Sequence, residues 1–152
     1  LSEIGRSKSS EGIEYLVFAV EFIRQDRLET FENLWQFCRS LIESVLTLHH
    51  QAKMLHCDLK PANIRWSKRV VRLFDFEHAQ DMSTAEWAPG TNGYQAPEIL
   101  KNLPCSSMTD AFSVGRIISK KLKDFPTNKL DYNQKHKLGV LRDVSLKLTD
   151  AN

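Results

Sequence analysis

Residues 56–64 read HCDLKPANI, which puts a histidine, an aspartate, a lysine and an asparagine within nine positions. The stretch follows an apolar run with helical spacing. From about Phe31 to Gln51, Leu34, Phe37, Leu41, Val45 and Leu48 recur at steps of three and four, and Trp35, Cys38, Ile42 and Leu46 widen the stripe. That spacing lines one side of a helix with apolar groups, so the run predicts a long, largely buried helix. On the other side, NIRW and VVRLFDF are short strand-like runs parted by the polar SKR, which predicts a hairpin. Either the loop between them does chemistry, or it is only a polar turn leaving a helix.

Further out, EYLVFAVEFI (residues 14–23) is rich in Val, Ile and aromatics and predicts a buried strand. From Asp75 to Glu98 the chain turns irregular, with Pro89, Gly90, Gly93 and Pro97 marking loop backbone. Met108 to Lys123 reads as helix with Asp110 near its start, KDFPTNKLDYN breaks it, and a last amphipathic helix carries Leu138, Leu141, Val144 and Leu148 on one face. The order is strand, long helix, hairpin, loop, helix, helix. This is an α+β fold, mainly α, with one small sheet. At 152 residues, 41% hydrophobic and 26% charged, the chain reads as one globular unit with a real core.

A net charge of +2, with no basic stripe interleaved with aromatics, argues against nucleic acid as a partner. No apolar run approaches the roughly 20 residues of a bilayer span. The N-terminal LSEIGRSKSS is not a signal peptide, so no membrane partner is expected and the expected location is cytoplasmic or nuclear. Cys38, Cys57 and Cys105 are far apart and lack CxxC spacing, which suggests reduced thiols rather than zinc ligands or disulfides. The chain opens on Leu1 instead of methionine, as a piece of a longer protein would.

His56, Asp58, Leu59 and Asn63 match the H-x-D-L-x-x-x-N pattern of a protein-kinase catalytic loop. Asp75-Phe76 follows the hairpin where a D-F-G aspartate belongs, and Ala96-Pro97-Glu98 supplies the A-P-E that closes an activation segment. Between them, GTNGYQAPE (residues 90–98) looks like the GT-x-x-Y-x-APE of serine/threonine kinases. The chain therefore resembles the C-terminal lobe of a eukaryotic-type serine/threonine protein kinase from the interlobe hinge to Leu148. The resemblance makes residues 1–152 a partial kinase domain, with a hinge strand, C-lobe helices, a catalytic loop at 56–63 and an activation segment at 75–98. A small-molecule kinase of the aminoglycoside phosphotransferase type shares the H-x-D-x-x-x-x-N loop but lacks the GT-x-x-Y-x-APE segment, and ranks second.

The resemblance implies roles. Asp58 would orient the substrate hydroxyl and Lys60 would neutralise the moving phosphoryl group. Asn63 and Asp75 are the oxygen donors expected of Mg²⁺. The hinge backbone near Glu21 and Ile23, with Arg65, would meet ATP. Thr91 would position the acceptor, while His56, Glu98 and Asp110 would be structural. For Thr91 a plain turn threonine stays open, and for Asp110 a simple helix cap. The implied partners are ATP, Mg²⁺ and a protein carrying a Ser or Thr acceptor.

The departures also carry expectations. Cys57 replaces an arginine that commonly pairs with an activation-segment phosphate, so phosphorylated Ser83 or Thr84 would lack that partner. Glu77 stands where the D-F-G glycine is expected. Arg65 lies where an apolar side chain usually sits beneath adenine, and it either stacks there or blocks the pocket. Only 13 residues precede the strand at Glu14, with no Gly-rich loop and no strand-borne V-A-I-K lysine; Lys8 reads as solvated and outside any strand. An N-terminal lobe is thus expected to be absent, Glu98 to lie buried without an ion partner, and the exposed face to attract a partner protein. One reading is a serine/threonine kinase fragment, Mg-ATP dependent when complete, with little activity and weak nucleotide affinity alone. The alternative is a pseudokinase-type module that binds protein without catalysis.

Overall fold

The computed structural model describes residues 25–150 in full and, as backbone, strands β1 (Ser2–Lys8) and β2 (Glu14–Ala19), which pair antiparallel with Lys8 opposite Glu14. Lys8 therefore closes a strand, contrary to the expectation from its Gly- and Ser-rich surroundings; its partner, at the start of β2, supplies the order that local propensity does not. The predicted strand over residues 14–23 is seen as far as Ala19.

Helix α1 (Phe31–His50) begins where Thr30, in extended backbone, accepts the Asn33 N–H on its hydroxyl at 3.1 Å. That oxygen satisfies a first-turn donor that has no partner inside the helix. Phe31, Leu34, Phe37, Cys38, Leu41 and Val45 then turn inward, in keeping with their spacing. Beyond a two-residue strand, β3 (Met54–Leu55), and the catalytic-loop motif, β4 (Ile64–Ser67) and β5 (Val70–Leu73) form the predicted hairpin with Trp66 opposite Val71. Lys68 and Arg69 both take left-handed backbone (φ 52° and 63°), the pair of angles whose twist suits a two-residue hairpin turn. The hairpin docks on α1 through two hydroxyls. Ser40 Oγ accepts the Val71 N–H at 2.9 Å and Ser44 Oγ donates to the Val71 carbonyl at 3.2 Å. On the other edge the Trp66 N–H donates to Gln25 Oε1 at 3.1 Å and Asp26 N–H donates to the Trp66 carbonyl at 2.8 Å.

Three elements complete the chain beyond β6 (Gln80–Asp81): α2 (Pro97–Leu100), α3 (Ser107–Asp124) and α4 (Tyr132–Thr149). Strand β6 pairs antiparallel with β3. The sequence reading missed β3, β6 and α2 because elements of two to four residues carry no measurable periodicity. Helices α3 and α4 each start with a capping box, Ser106 with Thr109 and Asp131 with Gln134. One core joins α1, the hairpin, α3 and α4 around Leu41, Trp66, Ile117, Ile118 and Leu141, and Phe37 meets Trp66 edge-on with ring centroids 5.9 Å apart. A smaller cluster of Leu55, Cys57, Ala88, Ala96, Ile99 and Cys105 lies under the irregular segment. On α4, Leu138 and Leu141 are buried as predicted, while Val144 and Leu148 are half-buried and Ser145 takes the tightest place. Among the described residues no helix is long and apolar enough to cross a membrane.

Ser145 is buried because α4 crosses α3 at Gly115. A Cβ there would lie 2.8 Å from Thr149 Cγ2 and 2.9 Å from the Ser145 carbonyl oxygen, whereas one at Gly139 would meet nothing within 4 Å. Gly115→Ala is therefore expected to lower unfolding free energy by about 1–3 kcal/mol. Gly139→Ala, in the middle of α4, should raise it by about 0.5–1 kcal/mol. Urea denaturation of both variants beside wild type reads the two opposite signs.

Candidate active site

The loop at 56–63 is held from below by one carboxylate. Asp110, in the first turn of α3, is 1% exposed; it accepts the His56 N–H on Oδ2 at 2.8 Å and the Cys57 N–H on Oδ1 at 2.9 Å. His49 Nε2, at the end of α1, lies 2.9 Å from Oδ2. A carboxylate can only accept, so His49 donates from Nε2. Ser106 already caps α3, which leaves the Asp110 side chain for the loop instead of for its own helix. The bonds also offset the cost of Cys57, which sits in left-handed backbone at φ 63°.

The loop is held from the side through His56. Its buried ring donates from Nε2 to the Phe74 carbonyl at 2.9 Å and packs on Phe76 with centroids 4.9 Å apart; its Nδ1 has no partner among the described residues. The Phe74 N–H in turn donates to the Asn63 carbonyl at 2.9 Å. Both ends of the loop are thereby tied to the residue immediately before Asp75.

Three of the sequence-derived residues converge on Asp58. Its Oδ1 accepts the Thr91 hydroxyl at 2.6 Å, and its Oδ2 accepts Lys60 Nζ at 2.6 Å and, weakly, Asn63 Nδ2 at 3.4 Å. Lys60 also donates to Thr91 Oγ1 at 3.0 Å, and Asn63 Nδ2 to the Asp58 carbonyl at 3.0 Å. A carboxylate has about four acceptor positions, so three donors leave one open. Lys60 keeps a quarter of its surface exposed, and Asp58 is nearly buried. Thr91 is brought there by Gly90, whose left-handed φ of 56° suits glycine and whose Cβ, if present, would press on Gln95 at 3.2 Å.

The remaining residues are less closely gathered. Asp75 is exposed in left-handed backbone at φ 60°, and neither of its oxygens hydrogen-bonds another described residue. Glu77 beside it is exposed. Arg65 turns back on the loop, donating to the carbonyls of Ala62 at 2.8 Å and Ile64 at 3.0 Å, and it lines a hollow of about 490 Å³ with Gln25, Phe37 and Lys121. Glu21 and Ile23 lie outside the described residues. Glu98 is half-buried, accepts the Thr109 hydroxyl at 2.7 Å, and has no ion partner among the described residues. The sequence reading did not single out His49, Thr109 or the Phe74 carbonyl. The first two contact partners far along the chain or within a cap, and a backbone carbonyl leaves no mark in a sequence.

A family model described as protein kinase domain matches residues 13–149. The chain belongs to the protein kinase family. It is 38% identical over 96 residues to the serine/threonine-protein kinase dkf-2 of Caenorhabditis briggsae, covering 58% of this chain and 8% of that protein. It is 27% identical over 122 residues to the dual specificity protein kinase YAK1 of Saccharomyces cerevisiae (75% and 15%). It is 33% identical over 85 residues to the calcium/calmodulin-dependent protein kinase type 1 of Caenorhabditis briggsae (52% and 24%). The kinase chain thus spans 8 to 24% of the length of these relatives.

In this kinase the Cys57 thiol points among Leu55, Ala88, Ala96, Ile99 and Cys105. Burial pushes its pKa upward, as does its hydrogen bond to Cys105; burial likewise raises Cys105, and it raises Cys38 from 9.0 to about 12. A thiol that holds its proton more tightly when folded contributes its full stability below pH 9 and loses it as pH rises toward the folded value. Between pH 8 and 11 wild type should lose more stability than Cys38→Val, read as the difference in urea midpoints at each pH. Separately, Asp110→Ala strands two buried backbone N–H groups and the His49 donor. A loss of about 3–5 kcal/mol is expected in chemical denaturation.

Proposed function

We propose that this kinase chain carries the phosphoryl-transfer machinery for a Ser or Thr hydroxyl on a protein, with ATP as donor. The observation that supports it most is the single acceptor position left on Asp58 once Thr91, Lys60 and Asn63 have taken the others. A substrate hydroxyl there would be aligned by Asp58 and would pass its proton to that carboxylate as the oxygen bonds to phosphorus and ADP departs. Lys60, 2.6 Å from the same carboxylate, brings positive charge to where the phosphoryl group gains negative charge. Thr91 fixes the Asp58 plane and so positions the acceptor.

The donor set suits Mg²⁺. Asn63 spends its amide nitrogen on Asp58 and keeps its oxygen, and Asp75 keeps both of its own. Among the described residues no three His, Cys, Asp or Glu side chains converge on a metal, so the protein offers two hard oxygen donors and leaves the remaining positions to water and phosphate, as Mg²⁺ prefers. When bound, the ion would neutralise phosphate charge.

A second reading draws on the departures. Glu77 adds charge beside Asp75, Arg65 is folded onto the loop, and a groove of about 1010 Å³ between α1 and the hairpin exposes Phe76 and Val70. A pseudokinase-type module would use that face for a protein partner. The 152 residues contain neither a G-x-G-x-x-G nor a V-A-I-K stretch, and alone they are expected to transfer little phosphate and to bind Mg-ATP weakly. The proposed setting is cytoplasmic or nuclear.

The deciding experiment measures transfer from radiolabelled ATP to a Ser/Thr peptide mixture by the protein that contains this chain. Transfer that falls at least about a hundredfold in Asp58→Asn, with Mg-ATP affinity unchanged, supports the first reading. No transfer above the Asp58→Asn level supports the second.

A further inference from the structure

One wall of a cleft of about 470 Å³ is the segment directly after Thr91, at Gly93 and Tyr94; the other is the second half of α3, at Arg116, Lys120, Lys123 and Asp124. The walls are tied together. Arg116 Nε donates to the Gly93 carbonyl at 3.1 Å, and Lys120 Nζ lies 6.0 Å from the Tyr94 ring centroid. The three cations fall at steps of four and three on α3, hence on one face of it. At 1.5 Å per residue they span roughly 10 Å, the length of about three residues of extended chain. All three are exposed, and none has a carboxylate within ion-pair distance among the described residues. Asp124 is the one acid in the lining, so the cleft presents a net charge of about +2.

This cleft opens two residues from Thr91, whose hydroxyl is 2.6 Å from Asp58. An extended peptide with its hydroxyl at Asp58 would therefore run past the cations within a few residues. We infer that the cleft selects protein substrates with two or three acidic side chains close to the acceptor residue. Side chains of Asp or Glu would meet Arg116, Lys120 and Lys123, while Lys or Arg at those places would be repelled. The inference rests on the transfer reading for the identity of the occupant, but the charge preference itself is a binding property and is measurable without catalysis.

The test uses fluorescent nonapeptides whose acceptor is replaced by alanine and whose flanks are Asp/Glu, Ser/Gly or Lys/Arg. Binding is read by fluorescence anisotropy at 50 mM and 300 mM salt. The acidic peptide is expected to bind at least about tenfold tighter than the basic one at low salt, with the gap narrowing at high salt. Lys120→Glu with Lys123→Glu should abolish or invert that order, and Lys123→Ala alone should reduce it, both with unchanged melting temperature. Equal affinity for the three peptides, or a preference that survives the double charge reversal, overturns the inference. An acid preference without phosphoryl transfer would sink only the transfer reading; transfer without an acid preference would sink only this one.

Discussion

Everything at the site depends on the Asp110 carboxylate. It is a buried anion that gathers two backbone N–H groups of one loop and the imidazole of another helix, from positions 53, 54 and 61 residues away in sequence. Burying a carboxylate is costly unless its oxygens are hydrogen-bonded, and here three donors converge on it. The same bonds fix the direction of the chain at His56 and Cys57, and so decide where Asp58 points. With no disulfide among the three cysteines, this polar knot supplies a cross-link between α1, α3 and the loop. The apolar core positions the helices to within a side chain's width; the carboxylate sets the loop's register on them.

A second constraint couples the loop to the segment that carries Asp75. His56 and Asn63 grip the two backbone groups of Phe74 from opposite ends of the loop. Rotation of the chain at Phe74 would break both bonds at once and would also strip Phe76 from the His56 ring. Phe76 is nonetheless 45% exposed, so that stack holds it on one side only. The position of Asp75 is therefore set by backbone bonds before it rather than by packing after it. Glu77, one of the residues that depart from the family pattern, lies on the loosely held side.

How much of this was readable in advance follows from length and range. Helices α1, α3 and α4 and the β4–β5 hairpin are long or regular enough to leave a periodic trace, and all four were found. Strands β3 and β6 are two residues each and exist only because each offers the other its hydrogen bonds. Gly115 carries no signal of its own in the sequence, since its meaning lies in a helix that arrives 30 residues later at Ser145. Within the site, Asp58, Lys60 and Asn63 are close in sequence and carry a recognisable spacing. His49 carries none, because its partner Asp110 is 61 residues away and a lone histidine at a helix end has many ordinary uses. Arg65 lies half-buried between the buried Ile64 and Trp66, and its turn back onto the carbonyls of Ala62 and Ile64 depends on a local bend at 61–63 that no pattern announces.

Cys57 shows why a departure need not be a loss. The position demands left-handed backbone and a side chain that fits beside Leu55, Ala96 and Ile99. An arginine held there needs an anion to face; a thiol needs only apolar neighbours, which the surrounding cluster supplies. Replacing the guanidinium removes an unpaired cation from a nearly dry pocket, and with it any need for a charged partner in the segment from Asp75 to Glu98. Within that segment Trp87 Nε1 donates to the Ile99 carbonyl, the Cys105 N–H to the Glu86 carbonyl and Gln95 to the Pro89 carbonyl, beside the charged contacts that Thr91 makes with Asp58 and Lys60. Positive charge lies on α3 at Arg116, Lys120 and Lys123, across a cleft from Gly93 and Tyr94. Of these three, Arg116 also ties the segment, through the Gly93 carbonyl at 3.1 Å, while Lys120 and Lys123 stand exposed beside it.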